Sequence, residues 1–367
     1  MAHTPSEIDG SIPLESQVGG HPGVRTSEDG SLLIKPALPR EVAFYQSVAA
    51  DPRFAPLRPF VPKFYGTLRL EGKVDESAAA AEQDGALKVV AHVAAEEEKD
   101  KFPSSHSYWL LENLSHAFSK PNILDIKLGT VLYDDDASAE KRARMEKTAR
   151  ETTSLETGVR LTGFQVYDLV TGRAVNTPKS YGKSITAADL PDGLARFFPI
   201  APDAPAPQAI APGAAENDDA PGDQPMQGTG LPADVLAPLL ESLREDIAEI
   251  RAALEEIHLR MVGASLLVVY EADWERARAG LEWLEEGGDE DEDEDEDEDD
   301  EEDAEGKQRV GPPYAVKLID FAHTKIVPGA GPDEGVLKGI DTVLQLLDGR
   351  IEQVKAAAAA KEKTAAA

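Results

Sequence analysis

The sequence contains no cysteine. Disulfide frameworks and thiolate zinc sites are therefore excluded, and a reducing compartment suits such a chain. Basic residues are scarce, 37 Lys and Arg against 69 Asp and Glu, for a formal net charge of −32. A body of that sign repels nucleic acid, so no direct nucleic-acid binding is expected. No apolar run reaches the roughly 18 residues that a membrane span needs. The first residues are polar and lack a secretory pattern. The expectation is a soluble intracellular protein. Motifs are missing too. There is no G-x-x-x-x-G-K-[ST] phosphate loop, no G-x-G-x-x-G, no H-E-x-x-H and no G-x-S-x-G. P-loop nucleotide hydrolysis, dinucleotide binding, zinc hydrolysis and serine hydrolysis thereby lose their usual sequence support.

What is present is unevenly spread. Eighteen acids and no base fall within the 21 residues 285–305. Removing those 18 charges from −32 leaves −14, so the remainder is still acidic. A polyanionic ligand would need a local concentration of the few bases. Residues 199–230 are rich in Pro, Ala, Gly and Asp and read as a disordered insertion, with a second at 285–309. Residues 1–16 read as a flexible tail, 71–104 as a variable loop containing a short strand candidate at Lys88–Val93, and 356–367 as a second tail.

Between these lie mixed strands and helices. Strand-like runs fall at 31–35, 60–70, 107–114, 159–169, 265–270 and 315–321. Helical patterns fall at 39–50, 138–150, 236–261 and 336–348. In the third helix Leu236, Leu240, Leu243, Ile247, Ile250, Leu254, Ile257 and Met261 advance by fours and threes. Such a seam serves a coiled coil or, more often, a core-facing helix. Strands and helices do not strictly alternate, which indicates an α+β class in two lobes: an N-lobe over 17–116 and a C-lobe over 117–355.

Several residues have the types that phosphoryl transfer requires: a lysine for the donor phosphates, an acid for the metal, and bases for the acceptor. Asp320 follows the apolar run 316–319 and precedes Phe321, a setting for a metal-holding acid or for a turn cap. Lys35 ends a short strand, where it can reach phosphates or simply face water; Glu41 lies close enough in sequence to pair with it. Asp125 and Lys127 are two apart, so on a strand they share a side. Among Ile123, Leu124, Ile126 and Leu128 such charges must be paired or functional, and a structural ion pair is as good a reading as a site. Lys141, Arg144 and Lys147 advance by three along one helix face, with Asp136 or Ser138 as cap. They can form a phosphate cradle or an ordinary salt-bridged surface.

Taken in order, these elements resemble the inositol polyphosphate kinase family. Its P-x-x-x-D-x-K-x-G motif is complete at Pro121, Asp125, Lys127 and Gly129, its Ser-Leu-Leu at 265–267, and its I-D-F-A-H at Ile319–His323. Within the family the sequence is most similar to the fungal-type multikinase branch; the inositol hexakisphosphate kinases share the same core motifs. The resemblance implies a two-lobed inositol polyphosphate kinase fold, distantly like protein kinases, with ATP in the cleft between the lobes. It implies that Lys35 contacts ATP phosphates, that Glu112 and Leu114 hold adenine through their backbone, and that Asp125 lies on the ribose side. Lys127 would meet the inositol phosphate near its acceptor hydroxyl, Asp320 would bind Mg²⁺, and His323, Lys141, Arg144 and Lys147 would contact the substrate. Asp125, Lys127 and Asp320 would be catalytic. The implied reaction is phosphorylation of inositol tris- and tetrakisphosphate toward pentakisphosphate by a monomer of the nucleus and cytoplasm. The alternatives are an inositol hexakisphosphate kinase, or a nuclear transcription-regulatory scaffold whose acidic tract 285–305 contacts transcription factors or other basic proteins.

Overall fold

Pro39 sets where the first helix begins. Its ring fixes φ at a helical value and its missing N–H is one that a first turn leaves unbonded anyway. In the structure, a computed structural model that describes residues 11–14, 24–36, 38–69, 107–201, 228–288 and 310–365, the N-lobe comprises β1 (Ser11–Pro13), β2 (Arg25–Ser27), β3 (Leu32–Pro36), α1 (Pro39–Ala50), β4 (Phe64–Arg69) and β5 (Ser107–Glu112). The strands form one antiparallel sheet in the order β1-β2-β3-β5-β4, with Lys35 opposite Trp109. Within the expected flexible tail at 1–16, Ser11–Pro13 are instead a strand. Ser11–Pro13 pair with Arg25–Ser27, and the Arg25 side chain donates to the Ser11 hydroxyl at 2.7 Å.

Between α1 and β4 the chain makes a 3-10 helix over Pro52–Phe60, where no element is expected from the sequence. Three prolines disfavour an α-helix there. Phe54, Leu57 and Phe60, spaced by three, align on one buried face only when there are three residues per turn. That face packs on the C-lobe, and the Lys317 ammonium donates to Pro59 O at 2.5 Å.

The C-lobe runs β6 (Pro121–Leu128), α2 (Ala139–Glu151), α3 (Ser154–Thr157), β7 (Val159–Asp168), β8 (Arg173–Thr177), α4 (Tyr181–Ser184), α5 (Leu190–Phe197), α6 (Ala233–Glu256), β9 (Leu259–Met261), β10 (Ser265–Glu271), α7 (Trp274–Glu285), β11 (Tyr314–Ile319), β12 (Thr324–Ile326) and α8 (Glu334–Ala365). Its main sheet has the order β11-β10-β6-β7-β8, all antiparallel, with β6 at the centre. Leu124, Ile126 and Leu128 face the helices and the main core. Ile123, Asp125 and Lys127 therefore face the other way.

The α6 seam faces the core against α8, and its residues through Leu254 are buried. The helix ends at Glu256, not at Met261. Ile257, Leu259 and Met261 alternate buried with half-buried His258 and Arg260, which is strand periodicity, and residues 259–261 pair with 324–326. The last helix is longer than expected and covers most of the segment read as a tail at 356–367. Ile351 and Val354 continue the buried stripe of Val343, Leu344 and Leu347, and the alanines beyond have the highest helix propensity.

The 199–230 insertion is also narrower than expected. Leu231 N donates to Pro199 O, Ala201 N to Leu231 O and Leu169 N to Gly228 O, so both ends are built into the lobe. Glu285 likewise ends α7, and residues 286–288 form the turn that closes it, with Gly287 N donating to Leu284 O and Gly288 N to Trp283 O. The core of each insertion, the 71–104 loop with its strand candidate, and residues 15–23 lie outside the described residues. No helix among the described residues is long and apolar enough to cross a membrane.

Candidate active site

The two lobes meet on a cluster of five charged side chains. Lys35, from β3, donates to Glu41 of α1 at 3.1 Å and to Asp320 Oδ1 at 3.4 Å. Lys127, from β6, hydrogen-bonds Asp320 Oδ2 and Gly263 O, the latter at 3.1 Å, and stands 4.0 Å from Asp125 Oδ2. Asp320 thus accepts one ammonium from each lobe. Glu41 and Asp125 are 1% and 2% exposed. Buried charges at that depth persist only when paired.

Asp320 is the only described residue other than glycine with positive φ (66°). A side chain in the left-handed region is strained, so the surroundings must hold it. They do so through the next residue. Phe321 is fully buried, stacked on Phe44 of α1 at 4.1 Å and edge-on to Tyr45 at 5.6 Å. Burial would raise the Asp320 pKa, but Lys127 and Lys35 outweigh it and hold the carboxyl below its ordinary value. For Asp125 burial wins over the charge of Lys127 and the Ser265 hydroxyl, and the pKa is raised. Burial opposes the charge on Lys35, yet Glu41 and Asp320 carry its pKa upward.

An apolar shelf adjoins the cluster. Leu114, Phe118, Ile123 and Val269 pack together with the half-buried Leu267, Ala315 and Ile319. Ile123 is two residues before Asp125 on the same strand face, Leu267 lies opposite Asp125, and Ile319 precedes Asp320. The Leu114 backbone makes no hydrogen bond to another described residue. Glu112 is engaged through both backbone and side chain, donating its N–H to Lys63 O at 3.0 Å and accepting the Lys63 N–H on its carboxylate at 3.1 Å. Asn113 between them fixes the connection. Its amide donates to Gly30 O at 2.7 Å, and its oxygen accepts from the Ser115 hydroxyl at 2.9 Å.

His323 lies just beyond, half exposed, with Nδ1 2.5 Å from Asp134 Oδ2. Lys141, Arg144 and Lys147 stand exposed on α2, capped by Ser138, and make none of the ion pairs of the cluster. Lys147 pairs with Glu151 at 3.7 Å. Lys141 and Arg144 have no ion pair with a described residue. The link from β6 to α2 is anchored at Asp134, Asp135 and Asp136 by His323, Lys325 and Arg40. The sequence reading missed Arg160, which lies opposite Lys127 across the β6–β7 pairing. Its half-buried guanidinium has no hydrogen bond or ion pair with a described residue, and burial lowers its pKa against the charge of Asp125. Lys179 also bears electrostatically on Asp125. Its being the only base in the strand Val159–Asp168 was the one available signal for Arg160.

For a metal, the donor set is decisive. Among the described residues no three His, Asp or Glu converge. Asp320 offers oxygen, and Asp125 Oδ1 is buried with no hydrogen-bond partner. One or two carboxylates suit a hard cation that keeps waters and takes its other ligands from nucleotide phosphates. The residues therefore fit such an ion. Paired lysines, an oxygen-donor acid between them and an apolar shelf define a nucleotide-dependent phosphotransferase.

Comparison with known proteins narrows the class. The inositol polyphosphate kinase family model matches residues 108–214 and 232–348. The inositol polyphosphate multikinase of Saccharomyces cerevisiae is 33% identical over 91% of this chain and 96% of its own length. Inositol hexakisphosphate kinase 1 of Rattus norvegicus is 28% identical over 69% of this chain and 53% of its own. A crystal structure of the S. cerevisiae inositol phosphate multikinase Ipk2 in complex with ADP and Mn²⁺ superimposes with a TM-score of 0.55 at 26% identity, over 88% of this chain and all of that one. The chain belongs to the inositol polyphosphate kinase family, and it is a kinase with that family's two-lobed fold.

Proposed function

We propose that the protein transfers the γ-phosphoryl group of ATP to inositol tris- and tetrakisphosphate, toward pentakisphosphate. The observation that carries this reading is Asp320, bracketed by Lys35 from one lobe and Lys127 from the other. Adenine would lie on the shelf beneath Leu114, with the Leu114 backbone, free of hydrogen bonds to other described residues, and the Glu112 segment at its edge. The unpartnered Asp125 oxygen supplies an acceptor for a ribose hydroxyl. Glu41 holds the Lys35 ammonium toward the donor phosphates. Lys127 puts a positive charge where the acceptor oxygen and the transferred group would meet. Arg160 adds a cation opposite Lys127 on the paired strand, Lys179 bears electrostatically on Asp125, and Lys141, Arg144 and Lys147 provide the outer donors for ring phosphates. A magnesium ion at Asp320 would neutralise charge between the phosphates. Catalysis then rests on positioning and charge stabilisation for in-line transfer.

Incubation with ATP, Mg²⁺ and inositol 1,4,5-trisphosphate, followed by anion-exchange chromatography, tests this. More highly phosphorylated products are expected, and the absence of any product would refute the reading. The same separation with inositol hexakisphosphate as acceptor tests the pyrophosphate-forming alternative.

A boundary between the lobes at 116/117 belongs to this reading, as do a monomeric state and a location in nucleus and cytoplasm. The 18 acids at 285–305 support a second role, contact with basic proteins such as transcription factors. Pull-down with and without residues 289–305 separates the two roles. Partners lost with kinase activity retained is the expected result, and unchanged partners would dismiss the tract.

A further inference from the structure

We propose that Asp134 is a positioning residue that fixes the orientation and tautomer of His323, and that Arg40 of the N-lobe in turn holds Asp134. The proposal rests on the reading of His323 as a substrate-facing residue. Asp134 is 8% exposed, too buried for a carboxylate without partners. Its partners are the His323 ring, 2.5 Å away at Nδ1, and the Arg40 guanidinium at 3.5 Å. Arg40 also grips Asp136 at 2.7 Å, and Lys325 grips Asp135 at 3.0 Å, so the loop bearing Asp134 is held from two elements. A carboxylate can only accept, so Nδ1 carries the proton. In the neutral ring the Nε2 atom is then an acceptor, and the ring is half exposed. A ring hydroxyl of an inositol phosphate is the kind of donor that such an acceptor fits.

The His323 backbone has little freedom of its own choice. It is three residues from the left-handed Asp320 and two from Phe321, which is locked against α1. What remains free is the side-chain rotation and the tautomer, and Asp134 acts on both. Arg40 and Glu41 are neighbours on α1. One helix turn therefore holds the nucleotide-side lysine through Glu41 and the His323 pair through Arg40.

The test uses the full chain. Imidazole ¹⁵N chemical shifts report tautomer, and the His323 signal is assigned by its loss in His323→Gln. The unaltered protein is expected to show a proton on Nδ1. In Asp134→Asn the new amide can donate, so the proton is expected to move to Nε2. Turnover should fall roughly 10- to 100-fold, the usual scale for a residue that orients a functional group, with the KM for ATP held within about twofold. Arg40→Ala should shift both readouts in the same direction by less. In a His323→Gln background, Asp134→Asn should add less than about a twofold loss. An unchanged His323 tautomer in Asp134→Asn, or a fully additive loss in the double variant, would overturn the proposal. If His323→Gln by itself leaves turnover intact, the substrate-facing reading fails, while the ¹⁵N shifts still decide the pairing.

Discussion

Asp320 shows how one residue comes to join two lobes. Its backbone strain is maintained by the burial of Phe321, and its carboxylate is kept ionised by two ammonium groups. Asp320→Asn keeps the shape and removes the charge. Turnover is expected to fall by about a thousandfold or more, the scale on which charge-stabilising groups act in phosphoryl transfer, while circular dichroism stays native. An active Asn variant would take the metal-holding role away from this residue. Asp125 presents the opposite balance. Burial lifts its pKa above the ordinary 3.8, so the folded state binds that proton more tightly than the unfolded chain. The stability it contributes is fully present below pH 3.8 and is lost as pH rises through the folded pKa. Asp125→Asn should therefore raise the thermal midpoint at neutral pH while lowering kcat/KM. A lower midpoint would mean that its attraction to Lys127 outweighs burial.

Among the elements, α2 and α8 show two ways in which a helix serves the site. α2 carries exposed cations, and two of them, Lys141 and Arg144, have no ion pair with a described residue. Removing either should raise the KM for the inositol phosphate by about 10- to 100-fold, since a hydrogen bond to a charged group contributes about 1.5–3 kcal/mol. The KM for ATP should not change, and Lys147→Ala should have less effect because Glu151 already engages it. Steady-state kinetics in each substrate checks both. α8 acts through packing. Gly339 lies against Gly158, and a Cβ there would sit 2.5 Å from Gly158 O and 3.3 Å from Leu128 of the central strand. Because the nearest obstacle is backbone, the helix itself must shift. Gly339→Ala should destabilise by about 1–3 kcal/mol in urea unfolding. A neutral result would show that the contact can relax.

At the scale of the whole molecule, the question is how a chain of net charge −32 takes a polyanionic substrate. The bases at Lys35, Lys127, Arg160 and Lys179 gather about Asp125 and Asp320, with the α2 bases beyond. The acidic run stays a source of long-range repulsion. Deleting 289–305 should lower the KM for inositol trisphosphate at low ionic strength. The difference should vanish as salt shortens the Debye length, about 10 Å at 0.1 M. A salt-independent difference would mean a contact and not a field.

Much of this was legible in order along the chain. The motif at 121–129, the I-D-F-A-H run at 319–323 and the helical periods carried the two-lobed class, because local chemistry and periodicity are properties of sequence. The paired directions of Asp125 and Lys127 followed from strand alternation alone. Other features depend on contacts between distant segments. The 3-10 helix at 52–60 is selected by its packing against the C-lobe, and the strand after Glu256 by pairing with residues 324–326. Arg160 enters the site only because β7 pairs with β6 opposite Lys127. Asp134 gains its meaning only where the loop meets His323 and Arg40, 189 and 94 residues away in the chain. Sequence thus determined which groups were available for phosphoryl transfer. The tertiary structure decided which of them share a cleft, because charge pairing and burial act through space between residues that the chain holds far apart.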